Sequence, residues 1–144
     1  MSEHLAAVHA ELRQRLKELG LRATTTRLAV LVHLHEHEGP LTHEALMGAL
    51  GALDRATVYR ILSDLTDVGL LRRMDLGDHV WRYELRDACR QVADDHAHFL
   101  CEDCGVVSCL PPLELRPAGG RTLPDVLRGA SIRVKVTGLC AGCA

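Results

Sequence analysis

The chain has 144 residues, 47% of them hydrophobic and 25% charged, with a formal net charge of −2. A chain of this length buries a real core as one domain or two small ones, and the composition is that of an ordinary soluble globular protein. The charge balance excludes a polybasic protein, so any nucleic-acid function must rest on local patches, and no apolar stretch is long enough to span a bilayer.

Met1-Ser2-Glu3-His4 is not a basic run leading into an apolar segment, so no secretory signal is read and a cytoplasmic location is expected. Six cysteines in a reducing compartment point to metal or redox chemistry rather than a disulfide framework.

In chain order, residues 3–19 carry Leu5, Val8, Leu12, Leu16 and Leu19 at helical spacing, with Gly20 as a natural stop. Thr24-Thr25-Thr26 offers N-caps for a second helix bearing Leu28, Leu31 and Leu34, closed by Gly39-Pro40. Thr42 caps a short third helix with Leu46 and Leu50, and Asp54 a fourth that runs to about Val68, before Gly69. Residues 70–74 and 79–85 read as two strands joined by Asp75-Leu76-Gly77-Asp78, with Trp81, Tyr83 and Leu85 alternating against Val80, Arg82 and Glu84. Helices followed by a hairpin make a winged helix-turn-helix over residues 1–86. Residues 87–95 are polar and aperiodic, which suits a hinge. In 96–144, strands are expected over 96–100, 105–110 and 131–137, with a short helix over Leu123–Leu127. The fold class is α+β: an N-terminal winged helix-turn-helix domain and a small C-terminal α/β domain.

The chemistry is concentrated after the hinge. Cys101-x-x-Cys104 and Cys140-x-x-Cys143 form two knuckles, a spacing that lets each pair close a tight turn on one ion and together give zinc four thiolates. Disulfides or redox dithiols use the same spacing, but paired knuckles without an export signal favour metal. His96 and His98, two apart on a strand, point the same way and can chelate one ion. In the fourth helix Val58, Ile61, Leu62, Leu65 and Val68 share one side, and Ala56, Tyr59, Arg60 and Ser63 the other. An exposed arginine and tyrosine in the first turns suit a helix that reads base edges, with Arg22, Arg27, Arg55, Arg72 and Arg73 available to phosphates. The same pattern also fits a merely solvated helix face.

Leu21-Arg22-Ala23-Thr24-x-x-Arg27, Thr57-Val58-Tyr59-Arg60, Gly69-Leu70, His96-x-His98-x-x-Cys101-x-x-Cys104-Gly105 and Gly138-x-Cys140-x-x-Cys143 occur in this order. On these motifs the chain resembles the Fur (ferric uptake regulator) family of bacterial metal-responsive repressors over nearly its whole length. The resemblance implies a homodimer held by the C-terminal domain, a structural zinc on Cys101, Cys104, Cys140 and Cys143, and metal-dependent binding to AT-rich inverted repeats in double-stranded DNA. Tyr59 and Arg60 match the recognition-helix positions and, with Arg22, Arg27, Arg55 and Thr57, form the expected DNA-binding set. The regulatory metal of the family falls on Glu84, His96, His98 and Cys109, with Cys89 near a position where zinc-sensing members place a cysteine.

Cys109 stands where iron- and peroxide-sensing members usually carry an acid. A thiolate favours zinc over ferrous iron, so the expected protein is a zinc-responsive repressor, with an iron or peroxide sensor as the alternative and nickel less favoured. The histidine that some members add from the DNA-binding domain aligns with Pro40. His33 and His37, four apart on a helix, are a substitute for it or simply cations favoured at a helix C-terminus.

An enzyme is not expected. A zinc deaminase would need His-x-Glu and Pro-Cys-x-x-Cys, whereas His96-Ala97-His98 lacks the glutamate and Leu100 precedes the first knuckle. A closed four-thiolate site leaves no open position for a water. A zinc-ribbon interaction module without DNA binding is the rival from another class, and the Thr57–Arg60 segment argues against it.

Overall fold

The computed structural model describes residues 3–86 and 96–144. The chain divides into two compact units, Met1–Arg90 and Gln91–Ala144. Cys89 and the acidic pair Asp94-Asp95 lie outside the described residues.

In the first unit α1 (Glu3–Glu18), α2 (Thr25–Glu36), α3 (His43–Leu50) and α4 (Arg55–Asp67) are joined to a small sheet. Each of the last three begins where the sequence supplies a cap. Thr24 Oγ1 accepts from the Arg27 amide, Thr42 Oγ1 from Ala45, and Asp54 Oδ1 from Thr57, which satisfies amides that have no partner in the first turn. α1 stops at Gly20 (φ 74°), where the amides of Gly20 and Leu21 reach back to the carbonyls of Lys17 and Leu16. Gly69 (φ 80°) ends α4 in the same way, with Gly69 and Leu70 bonding to Thr66 and Leu65.

Strands β2 (Leu71–Asp75) and β3 (Trp81–Leu85) form the wing, pairing antiparallel from Leu71 opposite Leu85 to Asp75 opposite Trp81. A third strand, β1 (Leu41–Thr42), pairs with the other edge of β3, so the sheet order is β1-β3-β2. The hairpin is as expected; β1 is an addition. Leu12, Leu16, Leu31, Leu34, Leu46, Val58, Leu62, Leu65, Leu71 and Leu85 belong to one continuous core. α4 contributes Val58, Ile61, Leu62 and Leu65 to it and leaves Ala56, Tyr59, Arg60 and Ser63 exposed, as the helical wheel requires. Leu62 is completely buried, so Leu62→Ala should cost about 3 kcal/mol through lost burial and a residual cavity, read as a lower urea midpoint with an unchanged slope.

The second unit is built on β4 (His98–Cys101), β5 (Val107–Cys109) and β6 (Val136–Gly138), in the order β5-β4-β6. β4 is antiparallel to β5 and parallel to β6. Its helical content among the described residues is two 3-10 turns, Ala118–Gly120 and Asp125–Leu127. The helix expected over Leu123–Leu127 is therefore a single turn, bounded by Pro124 and by Gly129 at φ 74°. The strand expected over 131–137 pairs only at Val136–Gly138.

Candidate metal centres and nucleic-acid face

Cys101 ends β4, and the chain turns at once: the Gly105 amide bonds to the Cys101 carbonyl at 3.1 Å, with Gly105 at φ 72°. The second knuckle makes a similar tight turn just past β6, where the Cys143 amide bonds to the Cys140 carbonyl at 2.9 Å. Parallel pairing of Cys101 with Gly138 sets the two turns side by side. All four sulfurs lie within 4.8 Å of one another, and the Sγ atoms of Cys104 and Cys140 are 3.7 Å apart. A tetrahedron with Zn–S bonds of about 2.3 Å has edges of about 3.8 Å, whereas a disulfide needs about 2.05 Å. The donor set thus fits a closed, structural zinc.

The site favours anionic sulfur at its inner end. Backbone amides of Cys104 and then Cys140 donate to Cys101 Sγ and pull its pKa down to about 6. Across the site Cys143 is pushed up, chiefly by its hydrogen bond to the Asp103 carboxylate.

A second donor set lies on the same sheet. His98 stands directly opposite Cys109 in the β4–β5 register, so the two side chains share a face. His96, two residues earlier, falls on that side too, and its ring centroid is 4.4 Å from that of His98. The Leu110 amide bonds to the Ala97 carbonyl and fixes the strand between them. The ligand atoms of His96, His98 and Cys109 lie within 4.8 Å of one another. Two imidazoles and a thiolate suit zinc or another borderline divalent ion. Glu84, in the first unit, is on β3 opposite Arg72 and only 2% exposed. The rings of His33 and His37 are 6.4 Å apart at the end of α2, and His37 Nδ1 is 3.2 Å from the Gly39 carbonyl. Among the described residues no third donor completes a site with that pair.

The expected DNA-binding residues divide into two groups. Arg22, Arg55, Tyr59 and Arg60 are exposed, Tyr59 at 59%. Arg27 instead points inward: it donates to the Arg22 carbonyl at 3.0 Å and to Asp64 Oδ2 at 2.9 Å, tying the start of α2 to α4. Thr57 is part of the α4 cap, its hydroxyl donating to the Asp54 carboxylate that its amide also meets. Arg55 is ion-paired with Glu44. In the wing, the Arg73 guanidinium lies 4.2 Å above the ring centre of Trp81. Sequence alone does not pick out Glu44, Asp64 and Trp81, because their partners are 11, 37 and 8 residues away with no period to reveal them.

The wing turn is held by charge. Arg82 is buried on β3 and donates to Asp78 Oδ1 at 2.9 Å, a bond that holds the Asp78 carboxyl below its usual pKa. A lowered folded-state pKa stabilises the fold above the unfolded value of about 4 and loses that contribution as pH falls toward the folded value. Asp78→Asn should therefore lower the thermal midpoint at pH 7, and the gap to wild type should close as pH drops below about 4.

Residues 18–114 match the family described as the Ferric uptake regulator family. The transcriptional regulator FurA of Mycobacterium tuberculosis is 38% identical over 98 residues, a match covering 66% of this chain and 63% of that protein. The match thus spans less than two thirds of the length of that regulator. The ferric uptake regulator Fur of Helicobacter pylori superposes with a TM-score of 0.63 at 20% identity, over 96% of this chain and 93% of that one. A zinc uptake regulator complexed with zinc and DNA superposes at 0.57 with 23% identity, over 98% and 95%. These two structures share the architecture of a winged helix-turn-helix domain followed by a small mixed domain. With the family match covering well over half its residues, the chain belongs to the ferric uptake regulator family.

Proposed function

We propose that the chain is a zinc-responsive, homodimeric, cytoplasmic DNA-binding repressor, with no enzymatic activity. The observation that carries the zinc reading is Cys109 opposite His98, which puts a cysteine sulfur beside two imidazoles on one sheet face. Cys101, Cys104, Cys140 and Cys143 hold the structural zinc. Glu84 and, on a looser match, Cys89 complete the sensing site by analogy with the family pattern. Arg22, Arg55, Tyr59 and Arg60 meet an AT-rich inverted repeat, with Arg27 and Thr57 positioning α4.

A bound divalent ion would supply one point of attachment for donors that are otherwise separate. The chain does the rest. Residues 87–95 serve as the hinge between a DNA-binding domain, 1–86, and a dimerisation domain, 96–144, and loading restricts it. In a dimer that restriction fixes two α4 helices at half-site spacing. Metal therefore selects the DNA-competent arrangement, and the metal and DNA affinities are reciprocally coupled. Exposed Leu113, Leu115, Leu123, Val126, Ile132 and Val134 in the second unit support the dimer, because so much apolar surface favours burial against a second copy.

The test is a fluorescence-anisotropy titration of a labelled AT-rich inverted-repeat duplex, with zinc or with chelator. Zinc should tighten binding by about 5- to 150-fold, the usual range of allosteric coupling. Tightening by ferrous iron alone would move the assignment to an iron or peroxide sensor. No tightening by zinc, iron, manganese or nickel would overturn metal sensing.

A further inference from the structure

The exposed face of α4 is not uniformly basic. Arg55, its first residue, is gripped by Glu44 of α3, with Nη1 2.5 Å from Oε1 and Nη2 3.2 Å from Oε2. This two-pronged geometry occupies the fork a phosphate or guanine would use. Its effect on Glu44 is direct: the hydrogen bond from Arg55, then its charge, hold the carboxyl below its usual pKa. His43 braces the arrangement, because its Nε2 donates to the Arg55 carbonyl at 3.1 Å and its ring lies 6.5 Å from that of Tyr59. An open hollow of about 830 Å³ lies over this pair, lined also by Arg60 and Ser63. Both ion-pair side chains are 68% exposed, so water stabilises either charge alone and the pair adds little to folding. Its consequence falls on whatever enters the hollow.

We propose that Glu44 is a specificity-determining residue of the DNA face: it competes for Arg55 and so suppresses indiscriminate phosphate binding. The inference rests on the DNA-binding reading above. A phosphate of any duplex takes up the Nη1/Nη2 fork of Arg55 only by displacing the Glu44 carboxylate, which is then left beside a negative backbone. Asp64 does not take this part, because Arg27 already engages it at 2.9 Å. A cytosine or adenine amino group in the major groove is a donor that can take up the released carboxylate. The cost of freeing Arg55 is recovered only where a cytosine or adenine amino group stands at the position the carboxylate reaches, and a register that puts a guanine or thymine acceptor there bears it in full.

The test uses the zinc-loaded full chain as wild type, Glu44→Gln, Arg55→Ala and the double variant, titrated onto a labelled mixed-sequence duplex across a series of NaCl concentrations. Freeing Arg55 to neutralise one more phosphate should make Glu44→Gln bind roughly eightfold tighter near 0.1 M salt, with a log–log salt slope steeper by about 0.9. The added affinity should vanish in the Arg55→Ala background, as a double-mutant cycle shows. An unchanged or weaker Glu44→Gln, or an added affinity that survives loss of Arg55, overturns the proposal. If wild type and every variant fail to bind duplex even at low salt, the DNA-binding reading itself falls. Coincident thermal midpoints confirm that these exposed substitutions leave the fold intact.

Discussion

Cys140→Ser should strip the structural zinc and unfold the C-terminal unit while leaving the N-terminal unit folded. The asymmetry follows from what each unit buries. Among the described residues of the second unit, the buried apolar side chains are Leu100, Cys101 and Val107, and its strands are three or four residues long. A unit that buries so little apolar surface needs a staple such as a metal to be stable. Structural zinc sites of this kind contribute on the order of 10 kcal/mol, enough to decide whether such a unit folds at all. The first unit has its own core from α1 through β3 and owes the knuckles nothing. In Cys140→Ser, brief protease treatment should therefore digest residues beyond 96 and spare the winged domain. Trp81, the single tryptophan, reports on the wing and should keep its native emission. Retained protection of β4 and β6 without zinc would show that the knuckles are not what holds this unit together.

The second large effect belongs to the sensing set. His98→Ala combined with Cys109→Ser should leave the structural zinc and both folds in place but abolish the zinc dependence of DNA binding. These two residues are only half-buried and face each other across one strand pair, so removing them costs little packing. They supply two of the three donors that the sheet brings together, so the proposed sensing site keeps a single sheet ligand, His96, beside Glu84 and Cys89. Of the about 5- to 150-fold tightening expected for wild type, essentially none should remain, and the variant should match metal-free wild type on the same duplex. A variant that still tightens with zinc would place the sensing site elsewhere on the chain.

How much of this was legible in the sequence depends on the range of the interaction. Helix caps are local: Thr24, Thr42 and Asp54 each precede an apolar run, and each caps the expected helix. The knuckles are local turns too, and two such turns leave little freedom in what they bind. His98 opposite Cys109 is one step less local, yet a short antiparallel pair closed by the first knuckle brings them together. What stayed hidden depends on distant partners. β1 has two residues and no period of its own, and exists because β3 offers it an edge. Arg27 reads as a surface cation until Asp64, on another helix, turns it inward. The helix expected over Leu123–Leu127 fails for a local reason: Pro124 and Gly129 leave room for a single turn.

The most direct test of two separate metal centres is the zinc count per chain by plasma mass spectrometry, after zinc loading and desalting, on wild type and His98→Ala/Cys109→Ser. Two centres predict about two zinc ions in wild type and one in the variant, the survivor being held by the four closed thiolates. Equal counts in the two proteins would contradict a separate sensing centre, and a wild type that holds no zinc would remove the structural one as well.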